Sequence, residues 1–429
     1  MGLKVAFKYF EKLNKARIKS GLKKHKTLIS NFNYLSVLRL FQLLFPLITY
    51  PYLIRVLGKE IYGVVVFSNA IIMYLSVFIN FGFDISEIKE ISIFRDNKKK
   101  VSEILSTVLT IRIIFALISA LILSTLIVII PELNKHKWLY IASMGLLLDA
   151  AINPSFYFLG IEKMKFITYL SVTSKFVFLI LIFIVIKKPA HYILVPLLTS
   201  IGTLLSSLIG LSIIFHIQKV QFTLPSLYRV KEMITNSLPF FTSRVSVLAI
   251  NKTNILLLGT FVGYTEVAYY DLAEKLVNVM KMPFNIFNQV LFPNVSKTKN
   301  IGLVKKTLKY LLGVYILGYL SLYIFSEPFI QLIGGIELVQ ARFVLYILGV
   351  SAITELISVF LGAPMLLAMG YKREYNGSII IGSLFYILLI SILYIANLLG
   401  LYSLATATVA SSSFILIYRT WFCKKFNLI

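Results

Sequence analysis

The sequence predicts an all-α polytopic membrane protein in which 12 transmembrane helices form two pseudo-symmetric six-helix bundles. Three observations support this fold class: the composition, the spacing of the apolar segments and the distribution of the cations. Of the 429 residues, 58% are hydrophobic and 14% are charged, and the mean hydropathy is +0.85. Soluble globular proteins are roughly 45–50% apolar and about 25% charged. Lipid is therefore the expected solvent for most of this surface.

The apolar segments have the length of spanning helices, which need about 20 mostly apolar residues. The predicted spans are 33–54, 62–83, 104–130, 138–159, 167–186, 191–217, 237–262, 265–288, 307–333, 341–369, 377–396 and 401–418. They divide the chain into a basic cytoplasmic N-terminal segment, an N-terminal bundle, a cytoplasmic linker and a C-terminal bundle, at 1–32, 33–217, 218–236 and 237–429. The segment 265–288 is the most polar of the twelve, because it contains five charged residues.

The cations indicate the orientation of the chain. There are 43 Lys and Arg against 18 Asp and Glu. With the N-terminus inside, 29 of these cations lie in predicted cytoplasmic segments and 7 in the opposite loops. This bias follows the positive-inside rule for an even number of helices. We therefore predict a multi-pass protein of the bacterial inner (plasma) membrane with both termini cytoplasmic, and no nucleic-acid partner.

The N-terminal segment lacks the apolar core of a signal peptide and carries nine Lys and Arg within residues 1–32. Two interpretations stay open. It is a basic amphipathic segment on the anionic membrane surface, or it is a solvated basic tail.

Two pairs of local motifs indicate an internal repeat. Residues 57–63 after the first span are echoed by 262–269 after the seventh, 205 residues later. The stretch Pro154–Gly160 is echoed by Pro364–Gly370, 210 residues later. An even six-helix unit keeps its orientation on duplication. The copies would then be related by an axis along the membrane normal, with a cavity between them.

The motifs of common enzyme classes are missing from the sequence. It contains no GxxxxGK[ST] loop, no HExxH motif, no Cys/His cluster and no GxSxG elbow. The single cysteine, Cys423, allows no intrachain disulfide. Predicted external loops are short, about ten residues at most. We therefore expect a secondary transporter without catalytic residues, metal or cofactor.

Charged residues within the spans identify a candidate site, because each costs at least about 2.5–3.5 kcal/mol in lipid and normally faces a cavity or a partner. The candidate substrate-binding residues, suited to an anion such as a diphosphate, are Arg39, Arg244, Lys252, Lys275 and Lys175. Lys252 follows Arg244 by two turns, on nearly the same helical face. Ion pairing is the alternative for Lys275, which lies four residues after Asp271. Snorkelling to the headgroups is an interpretation open to Arg112, near a predicted helix start, and to Lys281.

Intramembrane carboxylates are candidate coupling sites for H⁺ or Na⁺. The candidates are Asp149, Asp271 and Glu355. Asp149 and Glu355 lie on the fourth and tenth spans, which are equivalent in the predicted repeat. A role in helix packing is the alternative for both.

Several short motifs resemble those of a known family. The motifs are Arg55-Val-Leu-Gly58 with Tyr62-Gly63, Asn80-Phe81-Gly82-Phe83, Gly160-Ile-Glu162-Lys163-Met-Lys165, Asn254-Ile-Leu-Leu-Leu-Gly259, and Tyr269-Tyr270 with Glu274-Lys275. Together they resemble the Wzx-type O-antigen flippases. These belong to the polysaccharide transporters of the multidrug/oligosaccharidyl-lipid/polysaccharide exporter superfamily.

The resemblance implies a V-shaped pair of bundles that works by alternating access. It implies flipping of an undecaprenyl-diphosphate-linked oligosaccharide from the cytoplasmic to the periplasmic leaflet, coupled to an H⁺ or Na⁺ gradient. The implied partners are this substrate and membrane lipids, and weak association with a polysaccharide polymerase or glycosyltransferases stays open. Lipid II flippases usually have fourteen helices, so the count of twelve disfavours that relative.

Two other classes are weighed against the flippase. A multidrug or organic-cation antiporter of the same superfamily would need an acidic cavity, and seven cations in the spans count against it. A membrane polymerase or ligase would usually carry a large external loop for its catalytic acids. The short loops and the six-plus-six repeat count against an enzyme.

Overall fold

The computed structural model describes residues 30, 31, 33, 34, 36–38, 40–42, 45, 46 and 48–429. This part of the chain is helical throughout, with short connections and without β-strands. Two predictions concern residues outside the described part of the chain. These are the basic N-terminal segment, in its residues 1–29, and the binding candidate Arg39.

The first helix, α1, is formed by the described residues of 30–57. The further α-helices are α2 (Lys59–Asn80), α3 (Phe83–Phe94), α4 (Lys98–Ile129), α5 (Pro131–Lys135), α6 (Lys137–Ile152), α7 (Ser155–Gly160), α8 (Met164–Val185), α9 (Leu194–Ser212), α10 (Leu227–Phe261), α11 (Tyr264–Thr298), α12 (Ile301–Ile324), α13 (Ser326–Gly334), α14 (Ala341–Phe360), α15 (Lys372–Ile395) and α16 (Leu401–Lys425). Short 3₁₀ or π turns adjoin some of them, at Pro189–Ile193, Ile213–Ile217, Ile336–Leu338 and Leu361–Leu367.

Nine helical segments of the described chain are long and apolar enough to cross a membrane. The other three long helices are α1, which is described only in part, and α10 and α11, which do not reach the same apolar character. Together they make the twelve long helices that the sequence predicts. The segment predicted to be the most polar, 265–288, lies inside α11.

The helices α10 and α11 are longer than the predicted spans. Each has 35 residues, or about 52 Å at 1.5 Å per residue, against a hydrocarbon core of about 30 Å. Helix α10 begins early because the Ser226 hydroxyl caps it, accepting a 3.2 Å hydrogen bond from the backbone N–H of Arg229. Residues 227–236 of the predicted linker are therefore helical, and only 218–226 connect the two halves without an α-helix.

The two prolines of the predicted repeat produce similar local structure. Pro154 separates α6 from α7, and Pro364 lies in the π turn that follows α14. Each break is followed by a residue in the left-handed region, Glu162 with φ 58° and Gly370 with φ 103°. Proline removes a backbone donor and thereby favours such breaks.

The two halves meet along α2, which packs against both α10 and α11. The backbones of α2 and α11 approach each other closely at Gly63, where a Cβ atom would lie 1.8 Å from the carbonyl oxygen of Tyr264. A Cβ on Gly259 would lie 2.1 Å from the ring of Phe67. Glycine is therefore required at both positions for the halves to touch in this way.

Candidate functional site

A cavity of about 720 Å³ lies at the boundary between the two halves. Helices of the first half form most of its wall, and α10 and α11 close it with Lys252, Ile255, Asp271 and Lys275. Its size falls within the range of about 300–1,000 Å³ that is typical of ligand sites. This central cavity therefore occupies the place that the predicted repeat assigns to the site.

The charged residues of the central cavity are balanced in sign. Its described lining contains three cations, Arg112, Lys252 and Lys275, and three carboxylates, Asp84, Asp149 and Asp271. The sequence led us to expect a cation-lined cavity, and the structure corrects this expectation. Each carboxylate makes the electrostatic potential in the cavity less favourable for an anionic ligand. The position of such a ligand therefore depends on the cations that have no carboxylate partner.

A buried network at the cavity wall joins the halves. The hydroxyl of Tyr62 donates to Oδ2 of Asp271 at 2.6 Å, and the ammonium of Lys275 donates to the same hydroxyl at 2.7 Å. Lys275 also forms an ion pair with Asp271 and lies over the ring of Tyr50. The predicted Asp271–Lys275 pair thus exists, and both of its members also line the cavity.

A second ion pair continues this network along α11. The ammonium of Lys252 lies 2.9 Å and 2.8 Å from the two carboxylate oxygens of Glu274. The two side chains are only 21% and 16% exposed. About two turns further along, Lys281 binds Glu355 at 2.7 Å. Glu355 therefore lies in a polar cluster within the second half and does not line the central cavity.

Asp149 lies in the wall of the central cavity on α6. Its Oδ1 accepts a 2.6 Å hydrogen bond from the hydroxyl of Ser207 on α9. No ion pair of Asp149 occurs among the residues that the structure describes. A carboxylate with one hydroxyl partner and access to a cavity has lone pairs left for a proton or a small cation.

Arg112 is the functional candidate that sequence reasoning misplaced. It is 2% exposed, it donates from Nη1 to the carbonyl of Asn153 at 3.2 Å, and its guanidinium lies 4.7 Å from the ring centroid of Phe156. Its Nε has no hydrogen-bond partner in the described part of the chain. A buried guanidinium with an unused donor at a cavity wall is suited to an anionic group.

The snorkelling interpretation of Arg112 is wrong because α4 begins earlier than predicted. The helix starts at Lys98, and its N-cap Asn97 accepts from the backbone N–H of Lys100 at 3.2 Å. Arg112 therefore lies about 21 Å along the helix from its first residue. Asparagine before a helical segment is an N-cap signal, and this signal locates the start.

Two other predicted binding residues lie away from the central cavity lining. Arg244 is half-exposed and binds Asp84, with Nη2 and Oδ2 2.7 Å apart. Lys175 lies over the ring of Phe45, 5.7 Å from its centroid. Of the described binding candidates, Lys252 and Lys275 are therefore brought to the central cavity, as are Asp149 and Asp271 of the coupling candidates.

Comparison with known proteins identifies one matching family and two curated relatives. A model of the family described as "Polysaccharide biosynthesis protein" matches residues 28–299. Two curated proteins carry the name "Putative O-antigen transporter". The one from Escherichia coli (strain K12) is 27% identical over 366 residues, 84% of this chain and 88% of its own. The one from Shigella dysenteriae is 25% identical over 359 residues, 80% of this chain and 87% of its own.

Solved structures with the same fold include two kinds of membrane protein. "Lipid II flippase MurJ, inward closed conformation" superposes with a TM-score of 0.67 at 18% identity, over 91% of this chain and 87% of its own. An inward-facing multidrug resistance MATE family transporter of the MOP superfamily gives 0.67 at 15% identity, over 93% and 98%. The predicted fold class, twelve helices in two lobes, is thereby confirmed.

Proposed function

Because the chain belongs to the polysaccharide biosynthesis protein family, we propose that it is a flippase for an undecaprenyl-diphosphate-linked oligosaccharide. It moves this lipid from the cytoplasmic to the periplasmic leaflet of the inner membrane by alternating access. The observation that carries the proposal is the central cavity of about 720 Å³ between the halves, with Arg112, Lys252 and Lys275 in its wall. The names of the curated relatives support the same activity.

The chemistry of the cavity suits the head of such a lipid. A diphosphate and its sugars cannot cross about 30 Å of hydrocarbon without polar partners. The forked guanidinium of Arg112 offers directed donors to phosphate oxygens, and the lysines offer point charges. Asn69 and Asn80 in the same wall supply amide groups for sugar hydroxyls.

The contacts of α2 and α3 with the second half define what must change during transport. The halves are joined at one level by Tyr62 and Asp271, and at another by Asp84 and Arg244. Alternating access requires that such contacts open in turn. Binding of H⁺ or Na⁺ at Asp271 would weaken its hydrogen bond with Tyr62 and its ion pair with Lys275. It would thereby couple an ion gradient to the separation of the two halves.

One observation favours a second candidate, an organic-cation antiporter. Three carboxylates line the central cavity, and the fold is shared with MATE transporters. The buried Arg112 in the same wall opposes this function, because it repels a cation that approaches Asp84 or Asp149. The flippase remains the function that the geometry supports best.

The experiment uses purified protein in liposomes that contain a fluorescent, short-chain undecaprenyl-diphosphate oligosaccharide. A membrane-impermeant quencher reports the fraction in the outer leaflet, with and without an imposed H⁺ or Na⁺ gradient. We expect the wild type to exchange the lipid between leaflets and Asp271→Asn to lose the gradient dependence. Ethidium transport without lipid exchange by the wild type would contradict the flippase and support the antiporter.

A further inference from the structure

A second cavity, of about 380 Å³, lies in the first half and shares no lining residue with the central cavity. It is placed where α3 ends, where α4 begins and where residues 161–163 precede α8. The positive-inside distribution assigns these helix ends to the cytoplasmic side. This cytoplasmic cavity therefore lies at the level of lipid headgroups.

The cytoplasmic cavity is basic. Its charged lining consists of Arg95, Lys98 and Lys163 against one carboxylate, Asp96. The described residues include no ion-pair partner for Lys98 or Lys163. The formal charge of the lining is therefore +2, and two ammonium groups are available to an anion.

The motif at 160–165 builds one wall of the cytoplasmic cavity. Glu162 adopts a left-handed conformation with φ 58°, and its carboxylate binds Arg95 at 3.1 Å. The next residue, Lys163, donates from its ammonium to Oε1 of Gln218 at 2.7 Å. The turn thus places one lysine and one glutamate-bound arginine around a single opening.

The start of α4 adds to the positive potential. Lys98 is the first residue of this 32-residue helix, and both Lys98 and Val101 line the cytoplasmic cavity. The first turn of a helix carries a partial positive charge and unpaired backbone donors, which favours anions. The Asn97 side chain accepts from the backbone N–H of Lys100, and the Asn97 carbonyl accepts from that of Val101 at 3.0 Å, so the backbone N–H groups of Lys98 and Lys99 are the donors of this turn that have no partner among the described residues.

We propose that the cytoplasmic cavity is a binding site for a phosphate group at the inner membrane surface. Ammonium and guanidinium groups are the usual partners of phosphate oxygens, and basic pockets between helix ends on the cytoplasmic side bind anionic headgroups. The volume of 380 Å³ is that of a small ligand site, for which about 300–1,000 Å³ is typical. The phosphate is supplied by an anionic phospholipid or by a soluble phosphate compound.

The occupied cavity would tie the connection between the halves to the first half. Gln218 and Val220 line the cavity and belong to the linker 218–226. The following residues lie along α4, because the backbone N–H of Gln221 donates to Ser102 at 3.1 Å and that of Thr223 donates to Ser106 at 2.9 Å. Lys163 is hydrogen-bonded to Gln218 of the linker. A bound phosphate that contacts both Lys163 and Lys98 therefore stabilises one position of the linker.

Native mass spectrometry of the full chain tests the proposal, with phosphatidylglycerol and phosphatidylcholine offered in competition. We expect the wild type to retain phosphatidylglycerol preferentially, and the double variant Lys98→Gln/Lys163→Gln to bind it about tenfold more weakly, since hydrogen bonds to charged groups are lost. Lys99→Gln/Lys100→Gln is the matched control: it removes the same number of charges, from two residues next to Lys98 that do not line the cavity, and should bind as the wild type does. Lys98→Gln alone serves if the double variant unfolds.

A second arm separates the two sources of phosphate. Inorganic phosphate is titrated into the detergent-solubilised protein by calorimetry, with the same variants. Phosphate binding that depends on Lys98 and Lys163, without a preference for phosphatidylglycerol, supports the proposal with a soluble compound as the source. Equal retention of phosphatidylglycerol and equal phosphate binding by wild type and double variant would overturn it.

Discussion

The hydroxyl of Tyr62 on α2 donates a 2.6 Å hydrogen bond to Oδ2 of Asp271 on α11, so a buried hydrogen bond joins the two halves at the wall of the central cavity. The ammonium of Lys275 donates to the same hydroxyl at 2.7 Å. The Tyr62 hydroxyl is therefore hydrogen-bonded to both members of an ion pair in the other half. Removing this hydroxyl is expected to weaken the association of the two halves.

Tyr62→Phe should loosen this contact. It removes a buried hydrogen bond worth about 1 kcal/mol, so we expect a lower melting temperature and faster labelling of a cysteine placed at Asn69 in the central cavity, in a Cys423→Ser background. Tyr319→Phe is the control, because its hydroxyl bonds Tyr346 within the second half at 2.9 Å. Labelling of the Tyr62 variant at the wild-type rate would contradict the role of the contact.

Gly63→Ala should prevent the closest approach of the halves. A Cβ there would lie 1.8 Å from the carbonyl oxygen of Tyr264, so α2 and α11 must separate. We expect pulsed electron spin resonance between labels at Lys59 and Thr265 to report a longer distance. Gly313→Ala, where a Cβ meets no atom within 4 Å, should leave the distance unchanged. The same distances in both variants would argue that α2 can yield locally without moving the halves.

The Lys252–Glu274 pair should show strong coupling in a double-mutant cycle. Lys252→Met or Glu274→Gln alone leaves a charge without its partner, at a cost of about 1–3 kcal/mol or more, whereas the double variant removes both charges. We expect the double variant to be less destabilised than the sum of the two single variants, measured by unfolding in one detergent. The exposed pair Lys135–Glu132, with side chains 69% and 60% exposed, should couple by about 0–1 kcal/mol. Additive effects at Lys252 and Glu274 would show that water replaces each partner.

Arg112 should be essential to lipid exchange if the proposed function holds. Arg112→Lys keeps the charge but loses the forked donors, and Arg112→Gln loses both. We expect exchange in liposomes to slow at least about tenfold in the first variant and further in the second, since charge-assisted hydrogen bonds are lost. Arg342→Gln removes a cation paired with Glu327 outside the central cavity and should exchange normally. Wild-type exchange by Arg112→Gln would remove this residue from the site.

Much of the fold could be predicted because lipid imposes a simple rule on sequence. Spanning helices must be long and apolar, and their ends are marked by lysine and arginine. The same rule located Lys252, Lys275, Asp149 and Asp271, since charges within a span normally face a cavity or a partner. All four line the central cavity.

The position of Arg244 could not be predicted from its spacing to Lys252. Eight residues of helix turn through about 800°, which leaves the two side chains about 80° apart. Arg244 therefore faces Asp84 of the first half while Lys252 faces the central cavity. The balance of positive and negative charge in this cavity could not be predicted from the sequence either. Asp84 lies beyond the predicted span and lines the cavity only because α3 packs there.

The low apolar character of α10 and α11 has a consequence for how the chain is made. Helix α11 carries Asp271, Glu274, Lys275 and Lys281, and each charge opposes membrane insertion by about 2.5–3.5 kcal/mol at the bilayer centre. A single helix with these charges would not partition from the insertion machinery into lipid on its own. Because Lys252 of α10 neutralises Glu274 and Tyr62 of α2 meets Asp271, the seventh and eighth helices are expected to partition into lipid as a hairpin, after the first six are already in place. Biogenesis of the second half then depends on the first half as its template.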